Sequence, residues 1–302
     1  MYDLIIIGGG PAAVSAGIYA ARKKLKTLLI CKDWSGQASL APLVENYPGF
    51  EAISGNDLVS KFISQLKKNE LEIKEGLEVK EVGLTDKKDV EVKTNNGDFQ
   101  SKTLIIATGR HSKKTGLLNE EKFIGKGISY CATCDAPLFK DKQVAVIGAG
   151  NSGANIALDL TSYAAKVYLL GRRMKADEFL QEKIKKSSKI EVITNVSVKE
   201  FKGDEFIKEL VYQEQDSGKD KELAVDGIFM AVGSVANSSF VKNVVELNKQ
   251  GEIKIDKENR TSQPNIFAAG DVTDINHKQI VIAAGEGAKA ALNVYEYIKS
   301  TT

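Results

Sequence analysis

One pattern occurs twice in the chain and restricts the folds open to it: an apolar run, a glycine-rich turn, and then a stretch rich in small residues. The first copy covers residues 3–22 and the second covers residues 143–162. A further apolar run follows each copy, at residues 27–31 and 166–170. Uninterrupted apolar strands are typical of parallel sheets that helices cover on both faces. The sequence therefore predicts an α/β protein with two strand-turn-helix-strand units, each of the roughly thirty residues that a dinucleotide-binding motif needs.

The glycines at the two turns indicate what the units bind. Glycine at such a turn lets the chain reverse tightly, lets the backbone approach a pyrophosphate and lets the helix pack closely on the strand. The phosphates then accept hydrogen bonds from the free N–H groups at the start of the helix. We therefore predict a nucleotide at each turn. The candidate residues are Gly8, Gly10, Pro11, Ala12 and Ala13 at the first turn and Gly148, Gly150, Asn151, Ser152 and Gly153 at the second.

Three further apolar runs end in glycine and indicate how the chain is divided. They cover residues 104–109, 227–233 and 265–271, and the last leads into a predicted helix from about Gln279 to Ile298. Residues 125–235 already complete one dinucleotide domain, so this helix is expected to return to the first. We predict two Rossmann-like, three-layer domains, with the second inserted into the first. Residues 1–112 and 241–302 form the first domain, and residues 113–240 form the second.

A basic segment follows the second strand of the second unit. It contains Arg172, Arg173 and Lys175. At this position an acid binds a ribose 2′-hydroxyl, whereas arginine accommodates a 2′-phosphate. The segment therefore favours NADPH over NADH, and a solvated basic loop is the alternative.

Composition excludes several other classes of protein. The chain has 302 residues and a formal net charge of only +2, which calls for neither a nucleic-acid nor a membrane partner. The apolar stretch of residues 4–21 is preceded by Asp3 and interrupted by glycines, unlike a signal peptide. We therefore expect a cytoplasmic location.

The chain has three cysteines, Cys31, Cys131 and Cys134, and two histidines. A closed zinc site usually takes four nitrogen or sulfur ligands at set spacings, so no metal site is predicted. Cys31 is expected to be a buried strand residue. In a reducing compartment, the close pair Cys131 and Cys134 is more typical of redox chemistry than of a structural disulfide.

The order and spacing of the motifs resemble those of the low-molecular-weight thioredoxin reductases over almost the whole chain. The tail at residues 277–297 is more similar to the flavoprotein of alkyl hydroperoxide reductase. Two departures from the family are Gly171 where a histidine is usual, and Ala136-Pro137 after the cysteine motif. The motifs that carry the resemblance are the two glycine turns, Ser35-Gly36-Gln37, Glu45-Asn46-Tyr47-Pro48-Gly49, Ala107-Thr108-Gly109, Cys131-Ala132-Thr133-Cys134-Asp135, Arg172-Arg173 and Gly270-Asp271.

The resemblance implies that the first unit binds FAD. It places Asp271 on the flavin side of the pyrophosphate and ribityl chain, and Gln37, Asn46 and Gln279 around the flavin. For Asp271, capping of the last helix is an alternative role. The remaining cofactor candidates are Ala107, Thr108, Gly109, Gly270, Lys278 and Ile280.

The resemblance also assigns roles at the cysteine motif. Cys134 faces the flavin, and Cys131 attacks the disulfide of a protein partner to form a mixed disulfide. Asp135 is a plausible proton donor and acceptor, with a helix-capping role as the alternative. The implied partner is thioredoxin or a thioredoxin-like protein, and the implied assembly is a homodimer.

The position of the cysteines constrains the mechanism. They belong to the nicotinamide domain, yet the nicotinamide and Cys134 must each approach the flavin, the nicotinamide to roughly 3 to 3.5 Å. We therefore expect the second domain to swing about linkers at residues 110–114 and 234–240.

The leading hypothesis is an enzyme that passes electrons from NADPH through FAD to the cysteine pair and on to thioredoxin. An alternative within the family uses NADH or reduced ferredoxin and serves a peroxidase or other redox partner. A third hypothesis, of another class, is a flavin-binding regulatory module whose cysteines act only as a redox sensor.

Overall fold

The computed structural model describes residues 1–34 and 36–301. Ser35, part of a family motif, and Thr302, the end of the expected first domain, lie outside the described residues. The chain forms two compact units. The first consists of Met1–Leu40, Asn46–His111 and Val235–Thr302, and the second of Ala41–Glu45 and Ser112–Ser234.

The strands and helices follow one another along the whole described chain. The strands are β1 (Tyr2–Ile7), β2 (Thr27–Cys31), β3 (Glu72–Glu75), β4 (Val79–Leu84), β5 (Val90–Thr94), β6 (Gly97–Ile106), β7 (Arg110–Ser112), β8 (Ile128–Ser129), β9 (Gln143–Ile147), β10 (Lys166–Gly171), β11 (Ile190–Thr194), β12 (Val196–Gly203), β13 (Ile207–Glu214), β14 (Asp220–Ala224), β15 (Gly227–Met230), β16 (Ser234–Ala236) and β17 (Ile266–Ala268). The α-helices are α1 (Pro11–Arg22), α2 (Gly55–Leu66), α3 (Glu120–Phe123), α4 (Ala132–Asp135), α5 (Asn151–Leu160), α6 (Glu178–Lys186) and α7 (Ile280–Thr301).

The first unit is built on one sheet with the strand order β3-β2-β1-β6-β5-β4, in which β17 also pairs with β6. Strands β1, β2, β3, β6 and β17 run parallel, while β4 and β5 join antiparallel. Side chains alternate between the two faces of a strand. Leu4 and Ile6 therefore pack against α1 and α7, and Ile5 and Ile7 pack into the core on the opposite face. The glycine turn follows β1 at the carboxyl end of this sheet.

The second unit repeats this plan with different outer layers. Its parallel sheet has the order β11-β10-β9-β15-β8. Helices α5 and α6 cover one face, where Val144 and Val146 are fully buried. The antiparallel sheet β12-β13-β14 covers the other face through Phe201 and Leu210. The predicted α/β class with two Rossmann-like units, the second inserted into the first, is confirmed.

The chain crosses between the two units twice, and the two crossing segments pair with each other. Strands β7 and β16 form a two-stranded sheet. The division between the units falls inside both strands, after His111 and after Ser234. Within the described residues, no helix combines the length and the hydropathy that crossing a membrane requires.

Candidate active site

The first glycine turn leaves the start of α1 open. Gly10 occupies the N-cap position with no side-chain hydrogen bond, and Pro11 begins the helix, whose first turn has no acidic residue. A Cβ on Gly8 would lie 2.2 Å from the carbonyl oxygen of Ala107, so Gly8 is required by the close approach of two backbones. A Cβ on Gly10 would meet nothing within 4 Å, and the φ of Gly10 is an ordinary −84°. The free N–H groups and the space above Gly10 fit a pyrophosphate.

The second glycine turn has the same construction. A Cβ on Gly153 would lie 1.7 Å from the carbonyl oxygen of Gly148, which fixes the close packing of α5 on the turn. Gly150 is again an N-cap without a side-chain hydrogen bond, with open space around the position of a Cβ. Asn151, Ser152 and Gly153 form the first turn of α5. This turn also fits a dinucleotide.

The structure brings the predicted basic segment to the second glycine turn. The Lys175 N–H donates to the carbonyl oxygen of Ala149 at 2.7 Å. Asn151 and Asp177 exchange two hydrogen bonds, from Asn151 Nδ2 to Asp177 Oδ2 at 2.9 Å and from the Asp177 N–H to Asn151 Oδ1 at 2.8 Å. Sequence reasoning missed Asp177, whose role depends on this contact.

The side chains of this segment are available to a ligand. Arg172, Arg173 and Lys175 are exposed, and none forms an ion pair with a carboxylate of residues 1–34 or 36–301. Three cations thus stand beside an open helix start, which suits a nucleotide with an additional phosphate.

The predicted flavin-lining residues of the first unit meet in space. Gln37 Nε2 donates to the Arg110 carbonyl oxygen at 2.6 Å. Asn46 Nδ2 donates to Gln279 Oε1 at 3.3 Å, joining positions 233 residues apart. Gly270 has a φ of +75°, and a Cβ on it would lie 2.9 Å from that of Ala12, so this turn packs on the start of α1.

A residue that sequence reasoning missed holds the Ala107-Thr108-Gly109 turn in place. Asn237 Nδ2 donates to the Thr108 carbonyl oxygen at 2.8 Å, and the Asn237 N–H donates to that of Gly109 at 3.0 Å. Thr108 Oγ1 donates in return to the Asn237 carbonyl oxygen at 2.6 Å. Asn237 lies in the predicted second linker, but nothing in its sequence neighbourhood indicates these partners.

Asp271 belongs to a charged group near the same end of the sheet. It lies in the 3₁₀ turn Gly270–Val272, whereas α7 begins at Ile280, so the helix-capping alternative for Asp271 is wrong. Burial raises the pKa of Asp271, and the cations Lys278 and Arg110 act in the opposite direction. Glu252, which sequence reasoning also missed, pairs with Arg110 at 2.5 Å and with Lys278 at 3.4 Å.

The cysteine motif forms a disulfide between Cys131 and Cys134, with the two Cα atoms 5.3 Å apart. Cys131 is the N-cap of α4, and its Sγ accepts a hydrogen bond from the Cys134 N–H at 3.2 Å. Both cysteines are half-buried. Cys31 is a free thiol, 2% exposed in β2, as expected.

Asp135 is buried beside the disulfide, with 7% of its surface exposed. Its Oδ2 accepts a hydrogen bond from the Ser129 hydroxyl at 2.6 Å, and its Oδ1 has no partner among the described residues. Burial raises the pKa of Asp135, and the Ser129 hydrogen bond partly offsets this. Asp135 makes no capping hydrogen bond to the 3₁₀ turn that follows it, so the capping alternative is wrong here as well.

The described residues contain no group of three or more His, Cys, Asp or Glu side chains placed to hold a metal ion. The chemistry that the site presents is that of a disulfide, a buried carboxyl group and two open dinucleotide turns.

Comparisons with known proteins agree with this class. Residues 2–287 match the family described as pyridine nucleotide-disulphide oxidoreductase. The chain belongs to that family, and its class is that of the FAD-dependent disulfide oxidoreductases.

Within the family, two kinds of relative stand out. A flavoprotein component of alkyl hydroperoxide reductase in Staphylococcus aureus is 40% identical over 300 residues, which is 98% of this chain and 59% of the relative. The chain therefore spans about three fifths of the length of that relative. Thioredoxin reductase from Streptococcus pyogenes superimposes with a TM-score of 0.95 at 35% identity, covering 99% of both chains. Thioredoxin reductase from Giardia duodenalis gives a TM-score of 0.91 at 32% identity, again covering 99% of both chains. The resemblance seen in the sequence is confirmed.

Proposed function

We propose that this protein passes electrons from NADPH through bound FAD to the Cys131–Cys134 disulfide and on to thioredoxin or a thioredoxin-like protein. The observation that carries the proposal is the second unit itself. It holds an open dinucleotide turn, an unpaired basic segment and a disulfide beside a buried carboxyl group. A structural disulfide would need none of the other three features.

The first unit supplies the FAD site in this proposal. When bound, FAD accepts a hydride from a nicotinamide and gives up two electrons to a disulfide. The turn around Gly10 would hold the pyrophosphate, and Asp271 would lie near the ribityl chain. Gln37, Asn46 and Gln279 would surround the flavin ring, held by their hydrogen bonds to Arg110 and to each other.

The basic segment supports NADPH as the donor, and a paired substitution tests this. Replacing Arg172 and Arg173 by alanine should lower kcat/KM for NADPH by roughly tenfold or more while changing that for NADH little, because each arginine offers charge-assisted hydrogen bonds to a 2′-phosphate. Lys185→Ala with Lys186→Ala removes an exposed basic pair of the same unit at the end of α6 and serves as the control. An unmodified protein that uses NADH as fast as NADPH would refute this choice of donor.

The two cysteines are proposed to have different roles. Cys134 receives electrons from the flavin, and Cys131 attacks the disulfide of the partner. Cys134→Ser should leave reduction of the flavin by NADPH unchanged in stopped-flow absorbance and abolish turnover of a thioredoxin disulfide. Loss of flavin reduction itself would contradict this division of roles.

We further propose that the second unit rotates about the β7-β16 pair during turnover. The dithiol and the nicotinamide belong to one unit and use one flavin, so they take turns at it. The pairing of both crossing segments in one two-stranded sheet supports a hinge there.

A second candidate function is an NADH-linked or ferredoxin-linked reductase that serves a peroxidase or other redox partner. The 40% identity to a component of alkyl hydroperoxide reductase favours it. It predicts faster turnover with a thioredoxin-fold domain from a peroxidase system than with ordinary thioredoxin. A redox-sensing flavin module predicts bound FAD with negligible steady-state disulfide reduction. A homodimer and a cytoplasmic location complete the proposal, on the strength of the thioredoxin reductase neighbours.

A further inference from the structure

We propose that Ser129 is a positioning residue for disulfide exchange, whose buried hydroxyl group holds the Asp135 carboxyl group and the Cys131 backbone in one fixed arrangement. The inference rests on the proposed function, because it assigns Asp135 to proton transfer. Ser129 lies two residues before the first cysteine and belongs to none of the motifs that indicated the site.

The strand β8 fixes where Ser129 lies. Ile128 and Ser129 pair in parallel with Ile228 and Phe229 of β15, at the edge of the second unit's sheet. Ser129 is only 6% exposed, so water competes little for its hydroxyl group. The serine is thus a rigid point from which the redox segment continues.

Three hydrogen bonds join this hydroxyl group to the redox segment. Ser129 Oγ accepts from the Cys131 N–H at 3.0 Å. It lies 2.6 Å from Asp135 Oδ2 and 3.3 Å from the Cys131 carbonyl oxygen. A hydroxyl group has one proton to donate, and the shorter distance assigns it to Asp135. One side chain thereby fixes both the start of α4 and the carboxyl group at its end.

The arrangement also determines which carboxyl oxygen carries the proton. Oδ2 accepts from Ser129, so the acidic proton of Asp135 belongs on Oδ1, the buried oxygen without a partner. Burial and the Ser129 hydroxyl group are the two influences on the Asp135 pKa, with no contribution from an ionised side chain of the described residues. Cys134, its neighbour in sequence, titrates as well once the disulfide is reduced.

The proton has a defined destination in the exchange reaction. The Cys131 thiolate attacks the partner disulfide, the partner's S–S bond breaks, and its leaving sulfur takes a proton. Cys134 then attacks the Cys131 sulfur of the mixed disulfide, the Cys131–Cys134 bond forms again, and the second partner sulfur takes the second proton. Two electrons and two protons pass from the dithiol to the partner, and Asp135 Oδ1 delivers a proton to a leaving sulfur.

The test follows the pH dependence of that delivery. The holoprotein is reduced with dithiothreitol under anaerobic conditions, freed of reductant, and mixed with 2-hydroxyethyl disulfide over a range of pH. An aliphatic leaving thiolate needs a proton, so the rate should fall at alkaline pH as Asp135 ionises. The aromatic disulfide 5,5′-dithiobis(2-nitrobenzoate), whose thiolate leaves readily without one, should show no such fall.

In Ser129→Ala, the ionised form of Asp135 loses its donor, and the alkaline fall should move to higher pH by about one unit. The maximal rate should drop, while NADPH should reduce the flavin as fast as before. The infrared band of the protonated Asp135 carboxyl group, identified by its absence in Asp135→Asn, should persist to the same higher pH. Ser129→Thr keeps a hydroxyl group and should restore the wild-type profile.

Tyr130→Phe is the matched control. It removes a neighbouring hydroxyl group that donates to Glu120 at 2.6 Å rather than to Asp135, and should leave the profile in place. A uniform loss of rate in Ser129→Ala, with the alkaline fall and the infrared band unmoved, would overturn the inference but leave the proposed function standing. An alkaline fall that survives in Asp135→Asn would instead show that Asp135 is not the acid.

Discussion

At the residue scale, the three cysteines differ in reactivity because their surroundings differ. Burial, followed by the charges of Glu75 and Asp33, raises the pKa of the Cys31 thiol to about 12. Since the thiolate is the reactive form, iodoacetamide should label Cys131 and Cys134 of the reduced protein between pH 7 and 9 but leave Cys31 unlabelled. Mass spectrometry of peptides after labelling, with a urea-unfolded sample as control, measures this. Labelling of Cys31 in the folded protein at the rate of the other two would contradict it.

Glu120 supplies a second prediction at this scale. It is 3% exposed, and its carboxylate accepts hydrogen bonds from the Thr115 N–H, the Thr115 hydroxyl, the Gly116 N–H and the Tyr130 hydroxyl. Glu120→Ala leaves these buried donors unpaired and should lower the free energy of unfolding by about 2 to 4 kcal/mol. Urea unfolding measures the loss. Glu121→Ala removes a neighbour that is 74% exposed and pairs with Lys114, and should change stability by about 0.5 kcal/mol or less.

The same carboxylate gives that loss a pH dependence. Burial alone would raise the pKa of Glu120, but hydrogen bonds from Tyr130, Thr115 and Gly116 outweigh burial and lower it. The stabilisation is therefore fully present above the unfolded pKa of about 4.3, and is lost as the pH falls through the lower, folded value. The difference in stability between wild type and Glu120→Gln should shrink in acid. A difference that grows in acid would have the wrong sign.

Residues with short-range signals could be predicted from the sequence, and those with long-range roles could not. The glycines and the Cys-x-x-Cys pair follow from local backbone and sulfur chemistry. Asn237 and Glu252 act on partners more than a hundred residues away, Thr108 and Arg110. Ser129 is close to its partners in sequence, yet only the turn after β8 directs its hydroxyl group towards Asp135.

At the scale of elements, the two open helix starts give a matched pair of predictions. Gly10→Ala places a methyl group in open space with an ordinary φ, so it should cost the apoprotein about 1 kcal/mol or less. It should nevertheless weaken FAD binding roughly tenfold or more, because the methyl group occupies the path of the pyrophosphate. Gly150→Ala should leave FAD binding intact and raise the KM for NADPH.

Fluorescence titration of the apoprotein with FAD and steady-state kinetics separate the two effects. Gly8→Ala is the contrasting variant, because it brings a Cβ to 2.2 Å from a backbone oxygen at a φ of +137° and should damage folding itself. Full FAD affinity in Gly10→Ala would contradict the assignment of the first turn.

The elements that the sequence predicts are the long ones with continuous apolar character. Strands β1, β2, β9 and β10, together with helix α7, lie where the apolar runs and the small-residue stretch place them. The short elements β8, α3 and α4 were not foreseen, because two to four residues carry no periodicity and tertiary contacts decide their conformation. The redox segment lies among these short elements, so its internal hydrogen bonds emerge only from the structure.

At the scale of the whole molecule, the β7-β16 hinge makes a kinetic prediction. If the second unit rotates between flavin reduction and disulfide reduction, the electron-transfer step between them should slow roughly in proportion to solvent viscosity. Stopped-flow absorbance in sucrose solutions measures this step, and glucose at equal osmolality with lower viscosity controls for solute effects. A rate independent of viscosity would argue against a rotation that limits the step.

The inserted arrangement of the two units could be predicted because the second motif is complete before the last apolar run begins. What the sequence does not contain is the identity of the protein partner, since a docking surface is a three-dimensional arrangement rather than a local motif. The family membership narrows the partner to proteins with an exchangeable disulfide.

The central claim is that one bound flavin carries electrons from a nicotinamide nucleotide to the Cys131–Cys134 disulfide. Anaerobic titration of the holoprotein with NADPH, followed by flavin absorbance, tests it most directly. Wild type should consume about two equivalents before reduction is complete, one for the flavin and one for the disulfide, whereas Cys131→Ala with Cys134→Ala should consume about one. Equal consumption by the two proteins would show that the disulfide takes no electrons from the flavin, and would contradict the account.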